Sequence, residues 1–486
     1  MKRLAPLLLA MFAGCALELV CPPGQANCGG TCVSLLGDLE NCGACGVACG
    51  TLEYCSGGAR TCGTGTKCDG VCTDTARDPD HCGSCTTACA PDELCQPEVG
   101  CVAAPCPGST TACSRACVEL ATDVYHCGSC GNACARGQRC RSGQCRADLY
   151  VACMGTDEIV PVTTELAGAG PALATPGLPT DIAFLDSAVF SANVYPASVS
   201  VFPLDSTRSP RTIPIARNDL QRLEVHGNML LLTNSDAGTV IVLNSDGDIL
   251  DEIPLPGQQT GPNPHGIRVL GTTAWVALYG NDPWSGQAVA KLDLSTIGAG
   301  RSLGAIGLLQ VPGAYDPPGL PLPDSVAVDA DHVYVTLKNL ADDPSDAYTF
   351  YAMPAGSGRL AVITPAANDD VSIVDLGPSC GSPGDIVLHG TTLWITCGAF
   401  SYAELAPHRL LPVDVSTAIP VLGTPIELGN IVPAKLAFCS GMGYVGDMAS
   451  GAVVRFDPVA RTADAPVDVC PPGLFYTSVA DIACPQ

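Results

Sequence analysis

Charge is scarce in this chain, and positive charge is the scarcer kind. Asp, Glu, Lys and Arg make up 15% of the 486 residues, with 23 basic against 48 acidic and a net charge of −25. Binding to nucleic acid or to an anionic bilayer surface needs clustered Lys and Arg, so both are excluded. Aromatics are 5% of the chain and His only 7 residues; no HExxH metalloprotease segment or sialidase-type Asp box occurs. The chain is too long for one ordinary core, so two or more domains are expected. Residues 148–486 hold 35 of the acids and 13 of the bases, so the C-terminal part is the strongly acidic one. An acidic surface of this kind mainly keeps a protein soluble.

What the chain has in excess is cysteine, 30 residues, with 53 Gly and 41 Pro. The first of these cysteines ends "MKRLAPLLLAMFAGC", a basic start, a short apolar run and small residues before Cys15. This reads as an export signal over residues 1–14, too short to span a bilayer. The ending "FAGC" resembles the lipobox of bacterial lipoproteins, with Phe12 in place of the usual Leu. The resemblance implies that Cys15 is lipidated and that residues 15–20 form a short tether. Ala16 after the anchor, by likeness to Gram-negative lipoproteins, favours the outer membrane, on its periplasmic or cell-surface side.

The next 23 cysteines follow one frame three times. Cys21, Cys28, Cys32, Cys42, Cys45, Cys49 and Cys55 are separated by 6, 3, 9, 2, 3 and 5 residues. The series from Cys62 through Cys95 repeats this with 5 in the first interval, and the series from Cys106 through Cys140 repeats it unchanged. Cys101 and Cys145 close the second and third copies, while Cys62 either closes the first or opens the second. The segments "DLENCGAC", "DPDHCGSC" and "DVYHCGSC" keep register as well. Zinc is the competing reading of a CxxC pair. However, an exported chain meets an oxidising compartment, and so small a module needs staples to fold. A thioredoxin-like role would need a βαβ pattern, which is absent. Structural disulfides are therefore expected over residues 21–147, with connectivity left open among 105 pairings per copy. The frame resembles the cysteine-rich repeats of stigma-specific secreted proteins, which implies a disulfide module and no chemistry.

After Cys145 cysteines thin out, and short β-rich runs alternate with Gly, Pro, Asp and Asn turns. "PTDIAFLDSAVFSANVYPASVSVFPLD", "PHGIRVLGTTAWVALYGNDPWSGQAVAKLDL" and "PGDIVLHGTTLWITCGAF" share a scheme of Pro, strand, tight turn, strand, loop and strand. "MLLLTNSDAGTVIVLNSDG" resembles the repeat of YVTN and NHL β-propellers. Six units open near Asp181, Arg222, Gly266, Ser325, Asp385 and Lys435, and a seventh is split between "TSVADIAC" and "LYVACMGTDEIVPVTT". The expected fold is thus all-β. A seven-bladed β-propeller over residues 148–486, closed by both chain ends, follows the small disulfide-rich repeats; six blades are the alternative. Cys380 and Cys470 precede first strands, whereas Cys397 and Cys153 end second strands, so Cys380–Cys397 and Cys153–Cys470 are the expected bonds. Cys439 and Cys484 are left to pair.

In a propeller the loops between second and third strands share a face with the entries to the first strands. The longer loops there hold Tyr195, Tyr279, Trp284, Tyr348, Phe350, Tyr351, Phe400 and Tyr402, eight of the 24 aromatics. Aromatics with a polar rim suit protein or carbohydrate contacts. The channel mouth is expected to be ringed by Asp181, Arg222, Gly266, Ser325, Asp385, Lys435 and Asp481, with His265 and Asp324 beside them. Such groups either hold a polar ligand or satisfy one another. Because the repeats join a second strand, the anchor is expected beneath the propeller, with the aromatic face turned away from the membrane.

The expected function is that of an envelope-anchored binding or scaffold protein, not an enzyme, with no cofactor and with the lipid as its only membrane attachment. The alternative is a propeller hydrolase or lactonase with a central Ca²⁺, which needs Glu, Asn and Asp oxygens converging in the channel. The ring supplies Asp but adds two cations. "NSDGDILDE" from Asn244 is better read as a tight turn than as a calcium loop, because Gly247 is misplaced for one.

Overall fold

The computed structural model describes residues 25–28, 31–35, 41–50, 53–56, 58–62, 65–134, 138–166, 172–204, 209–216, 219–256, 263–279, 288–295, 301–307, 319–341, 353–398, 408–471, 473 and 477–485. The segment ending at Cys15 lies outside them. Strands and turns make up the described residues, with a single 3-10 turn at Pro365–Ala367 and no α-helix. The chain falls into two compact units. One comprises residues up to Pro107 together with Arg115–Cys117, and the other comprises Gly108–Ser114 and Val118 onward.

The repeats are small hairpins held by disulfides. In the second copy Cys62 bonds Cys72, Cys68 bonds Cys85, Cys82 bonds Cys95 and Cys89 bonds Cys101. In the third, Cys106 bonds Cys117, Cys113 bonds Cys130, Cys127 bonds Cys140 and Cys134 bonds Cys145. Both follow one order: first to third, second to fifth, fourth to seventh, sixth to eighth. Cys28–Cys45 places the first copy in the same frame, and the Cys62–Cys72 bond makes Cys62 the opening cysteine of the second copy. In the second and third copies the residues that kept register form the turn before the fourth cysteine. His81 Nδ1 lies 3.0 Å from Asp78 Oδ2, and His126 Nδ1 lies 3.2 Å from Asp123 Oδ1. The glycine of CGxC sits at φ +75° (Gly43), +77° (Gly83) and +74° (Gly128). A Cβ on Gly128 would come within 2.5 Å of the Gly143 carbonyl oxygen, so no other residue fits that turn.

The second unit contains, among the described residues, seven antiparallel sheets of four or five strands. Six are continuous in sequence and open with Leu178–Leu185, Leu220–His226, Pro264–Leu270, Pro323–Val328, Pro383–His389 and Pro433–Cys439. The seventh joins the two ends of the unit, because Val479–Ala483 pairs with Leu149–Cys153, which pairs with Glu158–Val162. Second strands such as Leu149–Cys153, Ala188–Val194 and Val333–Leu337 are buried at every residue. They read as unbroken apolar runs because a sheet lies against each of their faces. Fourth strands such as Ile249–Pro254 are largely exposed.

Every neighbouring pair of sheets shares an apolar cluster. Phe190 and Val199 of the sheet opened by Leu178 pack with Leu230 and Leu232 of the next, and the series continues through Trp275 with Val335 and Trp394 with Phe456. Tyr444 and Val453 then pack on Leu149 and Val151 of the split sheet, which in turn shares Tyr150 and Ile159 with Ile182 and Val189. Three disulfides brace the unit: Cys153–Cys470, Cys380–Cys397 and Cys439–Cys484. The first joins residues 317 apart in sequence.

The third repeat is tied directly to the split sheet. Its last hairpin, Gln138–Arg141 with Gln144–Ala147, runs into Leu149–Cys153 with only Asp148 between. Asp148 is buried and accepts from Arg139 Nε at 2.6 Å and Arg141 Nη2 at 2.7 Å, while Arg139 Nη2 also reaches Glu165 at 2.6 Å. Cutting the chain at residue 147 would leave this carboxylate buried without its two cations, a costly state. A stable fragment must therefore begin at or before the third repeat.

Candidate functional site

The first strand of each sheet carries one residue into a common ring: Asp481, Asp181, Arg222, Gly266, Ser325, Asp385 and Lys435, in the order of the sheets. What aims them is a β-bulge. The pairing of first and second strands shifts between Pro179 and Asp181, Leu220 and Leu223, Pro264 and Ile267, Pro323 and Val326, Pro383 and Ile386, and Pro433 and Leu436. A bulge turns one side chain away from the pleat and leaves its N–H without a ladder partner. Threonine on the second strand supplies the missing acceptor. Arg222 N–H donates to Thr233 Oγ1 at 3.0 Å, Ser325 N–H to Thr336 Oγ1 at 3.0 Å and Asp385 N–H to Thr396 Oγ1 at 2.8 Å. Two of these hydroxyls donate onward to the next sheet, Thr233 to His265 O and Thr336 to Gly384 O, both at 2.9 Å. Gly266 is the ring member without a side chain. A Cβ there would lie 2.7 Å from the Asp324 carbonyl oxygen, where the neighbouring first strand passes.

The ring's acids fasten adjacent sheets. Asp481 Oδ2 accepts from Ile182 N–H at 2.8 Å, Asp181 Oδ2 from Leu223 N–H at 2.7 Å, and Asp385 Oδ2 from Leu436 N–H at 3.0 Å. Arg222 then bridges them. Its Nη1 lies 3.3 Å from Asp181 Oδ1, and its Nη2 binds Asp385 Oδ1 and reaches Ser325 Oγ at 3.3 Å. Ser325 Oγ also donates to Asp385 Oδ1 at 2.9 Å. Burial alone would raise the Asp385 carboxyl, but the charges of Arg222 and Lys435 hold it below the usual carboxylate range. Asp481 goes the other way, well above that range, through burial and the nearby charge of Asp181.

The opposite shifts give a test. A carboxyl raised on folding adds stability that is fully present below its unfolded pKa and is lost as pH rises through its folded one. Asp481→Asn keeps an oxygen for Ile182 N–H and removes the charge. The variant is expected to melt higher than the parent at neutral pH, with the gap closing as pH falls. A neutral-pH melting temperature below the parent's, unchanged by acid, would rule this out.

Beside the ring lies a second group. Asp324 Oδ1 is 2.8 Å from His265 Nδ1, and Asp324 Oδ2 is 3.2 Å from Lys338 Nζ. Burial pushes Asp324 up, but the charge of Lys338 and the hydrogen bond from His265 outweigh it and keep the carboxyl well below its ordinary value. An ionised carboxylate only accepts, so His265 Nδ1 is the donor. The His265 ring stacks on Tyr279 with centroids 4.4 Å apart, and Lys338 Nζ lies 5.9 Å from the Tyr279 centroid. Leu320, Leu322 and Leu340 back the same tyrosine. Burial pushes the Tyr279 hydroxyl upward, as does the charge of Asp324.

The structure therefore brings the residues of the expected channel mouth together, with His265 and Asp324 paired at its edge. Of the aromatic face it describes two members. Tyr195 follows the strand Ala188–Val194 and is 68% exposed, whereas Tyr279 is turned onto His265 and half-buried. Trp284, Tyr348, Phe350, Tyr351, Phe400 and Tyr402 lie outside the described residues. Asn244 forms a turn, its Oδ1 accepting from Asp246 N–H at 3.0 Å and Asp248 N–H at 2.8 Å. Lys338 is a member of the edge group that the sequence does not reveal, since it follows a second strand without a motif.

Two GxSxG spacings also occur, around Ser302 and Ser379. Ser302 lies within the strand Arg301–Gly307 and Ser379 in the turn before the Cys380–Cys397 bond, so neither has the strand-to-helix setting of a hydrolase nucleophile. Cys82 with Cys89 and Cys101, and Cys127 with Cys134 and Cys145, are the described groups spaced closely enough for a metal, and all six sulfurs are in disulfides.

Residues 97–148 match the Stigma-specific STIG1-like protein family. No curated protein sequence matches the chain at a significant level. Among solved structures, a candidate 6-phosphogluconolactonase from Bacteroides fragilis aligns with a TM-score of 0.50 and 14% identity, over 70% of this chain and 97% of that one. Virginiamycin B lyase from Staphylococcus aureus aligns at 0.43 and 14%, covering 60% and 85% of the two chains. The Cps50 (Swd1) β-propeller domain of Myceliophteria thermophila aligns at 0.43 and 12%, covering 61% and 88%. These neighbours are β-propeller proteins, and at such identities the likeness concerns the fold alone.

Proposed function

We propose that the chain is a bacterial, outer-membrane-anchored binding lipoprotein. A signal peptide over residues 1–14 leads to a lipidated Cys15, the three repeats form a disulfide-braced stalk, and the seven sheets are the blades of one YVTN/NHL-like propeller. The blade face that carries the long loops meets a protein or carbohydrate partner.

The observation that carries this reading is the Arg222 bridge. A guanidinium already held by Asp181 and Asp385 occupies the ring that a calcium-dependent hydrolase would line with oxygens alone. The ring's polar groups fasten blades to one another, and this rigid scaffold leaves recognition to the loops. Lactonase and lyase neighbours share the scaffold and supply no residue argument, because the sites of propeller proteins are grafted onto a common fold.

The test is capture from native envelope and culture supernatant by the oxidised chain from residue 106 onward. The control bait carries Trp284→Ala, Phe400→Ala and Tyr402→Ala. A partner held only by the unmodified bait is expected; the same proteins or glycans on both baits, or nothing on either, would remove the loop face from consideration.

A further inference from the structure

The ring residues lie toward the starts of the first strands, so in these antiparallel sheets the turns joining third to fourth strands fall at the opposite end. The chain arrives from the third repeat at that same end, because Asp148 immediately precedes the second strand Leu149–Cys153. Exposed apolar side chains are divided unevenly between the two ends. Among the described residues from Asp148 onward, nine large apolar side chains are exposed, and only Tyr195 and Met448 are at the ring end. Soluble proteins normally scatter such residues singly. Here the turns of two adjacent sheets carry four of them: Ile419 is 78% exposed and Val459 90%, with Val421 and Leu422 exposed beside Ile419.

The two turns are neighbours, since a Cβ on Gly423 would lie 3.5 Å from Arg461 Nη1. Both are held in shape by their own polar groups. Asp414 Oδ1 accepts from Ser416 N–H at 2.8 Å, and Thr417 Oγ1 donates to Ile419 O at 2.8 Å. Asp457 Oδ1 accepts from Val459 N–H at 2.7 Å and Ala460 N–H at 2.9 Å. The flanking carboxylates are thus turned back onto the backbone, and the aliphatic tips project past them. Residues 415–426 carry no charge at all, in a chain of net charge −25. Ile249 and Leu250, an exposed pair of another sheet at this end, differ in that Asp246, Asp248, Asp251 and Glu252 flank them.

We infer that the patch of Ile419, Val421, Leu422 and Val459 is a second membrane contact, dipping into the interface of a neutral bilayer. The inference rests on the proposed lipid anchor, which puts this end of the sheets toward the membrane. Four aliphatic side chains offer far less than the roughly 800 Å² per partner that a stable protein interface buries. A tethered protein needs much less, because the anchor already holds the bilayer at high effective concentration. The driving force is apolar area and not charge, so the scarcity of Lys and Arg is no obstacle. Arg461, exposed beside the tips, has a cation to offer a lipid phosphate while its aliphatic stem lies along the patch. The lipid is then not the sole membrane attachment, and the two together fix the loop face outward.

The test uses the oxidised chain from residue 15 onward with Cys15→Ser, so that no lipid contributes, and vesicles of phosphatidylcholine alone. Adding Ile419→Asp and Val459→Asp is expected to lower the partition coefficient onto vesicles at least about tenfold, the factor that burying even one such side chain is worth. The melting temperature should not change, since both side chains are exposed. Added salt should leave the partitioning undiminished. Equal partitioning with and without the two aspartates, or none in either case, would overturn the inference. So would sedimentation as a dimer that the aspartates abolish, which would give the patch to a second copy of the chain. A native Cys15 peptide whose mass shows no lipid would overturn the anchor, and the inference with it, whatever the vesicles show.

Discussion

Replacing Asp385 with Ala is expected to lower stability by about 3–5 kcal/mol, the usual cost of removing one partner of a buried charge pair. Three groups lose their acceptor at once: the Arg222 guanidinium, the Ser325 hydroxyl and the Leu436 N–H. Arg222 is itself buried and keeps only the longer contacts to Asp181 Oδ1 and Ser325 Oγ, both at 3.3 Å. Chemical unfolding of the oxidised protein measures the loss. Asp385→Asn separates the contributions, because its amide oxygen still accepts from Leu436 N–H while the charge is gone, and an intermediate loss is expected. Changing both partners together, Arg222→Met with Asp385→Leu, should recover much of the loss, since well-packed apolar pairs often replace buried ion pairs at little cost. A loss below about 1 kcal/mol for Asp385→Ala would show that the ring does not hold the sheets together.

The second large effect is expected from the bond between Cys153 and Cys470. It closes a loop of 317 residues and joins the second strand of the split sheet to the segment just before its first strand. Loop-closure entropy assigns such a bond about 5–6 kcal/mol. Cys153→Ser with Cys470→Ser is expected to unfold that much more easily. Removing Cys380–Cys397, which spans only 17 residues, should cost less. The other bonds leave the reach from chain start to chain end unconstrained, so they do not compensate. Equal losses for the two double variants would place the stabilisation in local packing and not in ring closure.

Much of this architecture can be read from the chain, and the reason is local. A proline two residues ahead of a polar or small residue, then an alternating strand, marks the openings at Asp181, Gly266, Ser325, Asp385 and Lys435. Strand ends could be aligned from those openings, and the cysteines that the structure joins as Cys153–Cys470, Cys380–Cys397 and Cys439–Cys484 share blade edges in that alignment. What stayed hidden depends on partners distant in sequence. The bulges cannot be seen because the threonines that accept the freed N–H groups, Thr233, Thr336 and Thr396, lie on second strands and look like ordinary strand residues. The clasp of Arg139 and Arg141 on Asp148 crosses the composition change, where a boundary between repeats and propeller looks natural. Within the repeats, equal spacing reveals the frame but cannot rank the pairings, which need the three-dimensional path. Tyr279 shows the limit for the site: its place in a loop suggests an outward aromatic, while its stacking on His265 is visible only once two sheets are set side by side.

The measurement that bears most directly on the proposed function is the equilibrium affinity of a captured partner for two forms of the oxidised chain from residue 106 onward. One is unmodified, and the other carries Trp284→Ala, Phe400→Ala and Tyr402→Ala. The expected result is binding at least about tenfold weaker for the variant, the loss that follows from removing even one interface anchor, with an unchanged melting temperature. Equal affinity for the two forms would contradict recognition by the loop face and move the search for a ligand to the ring.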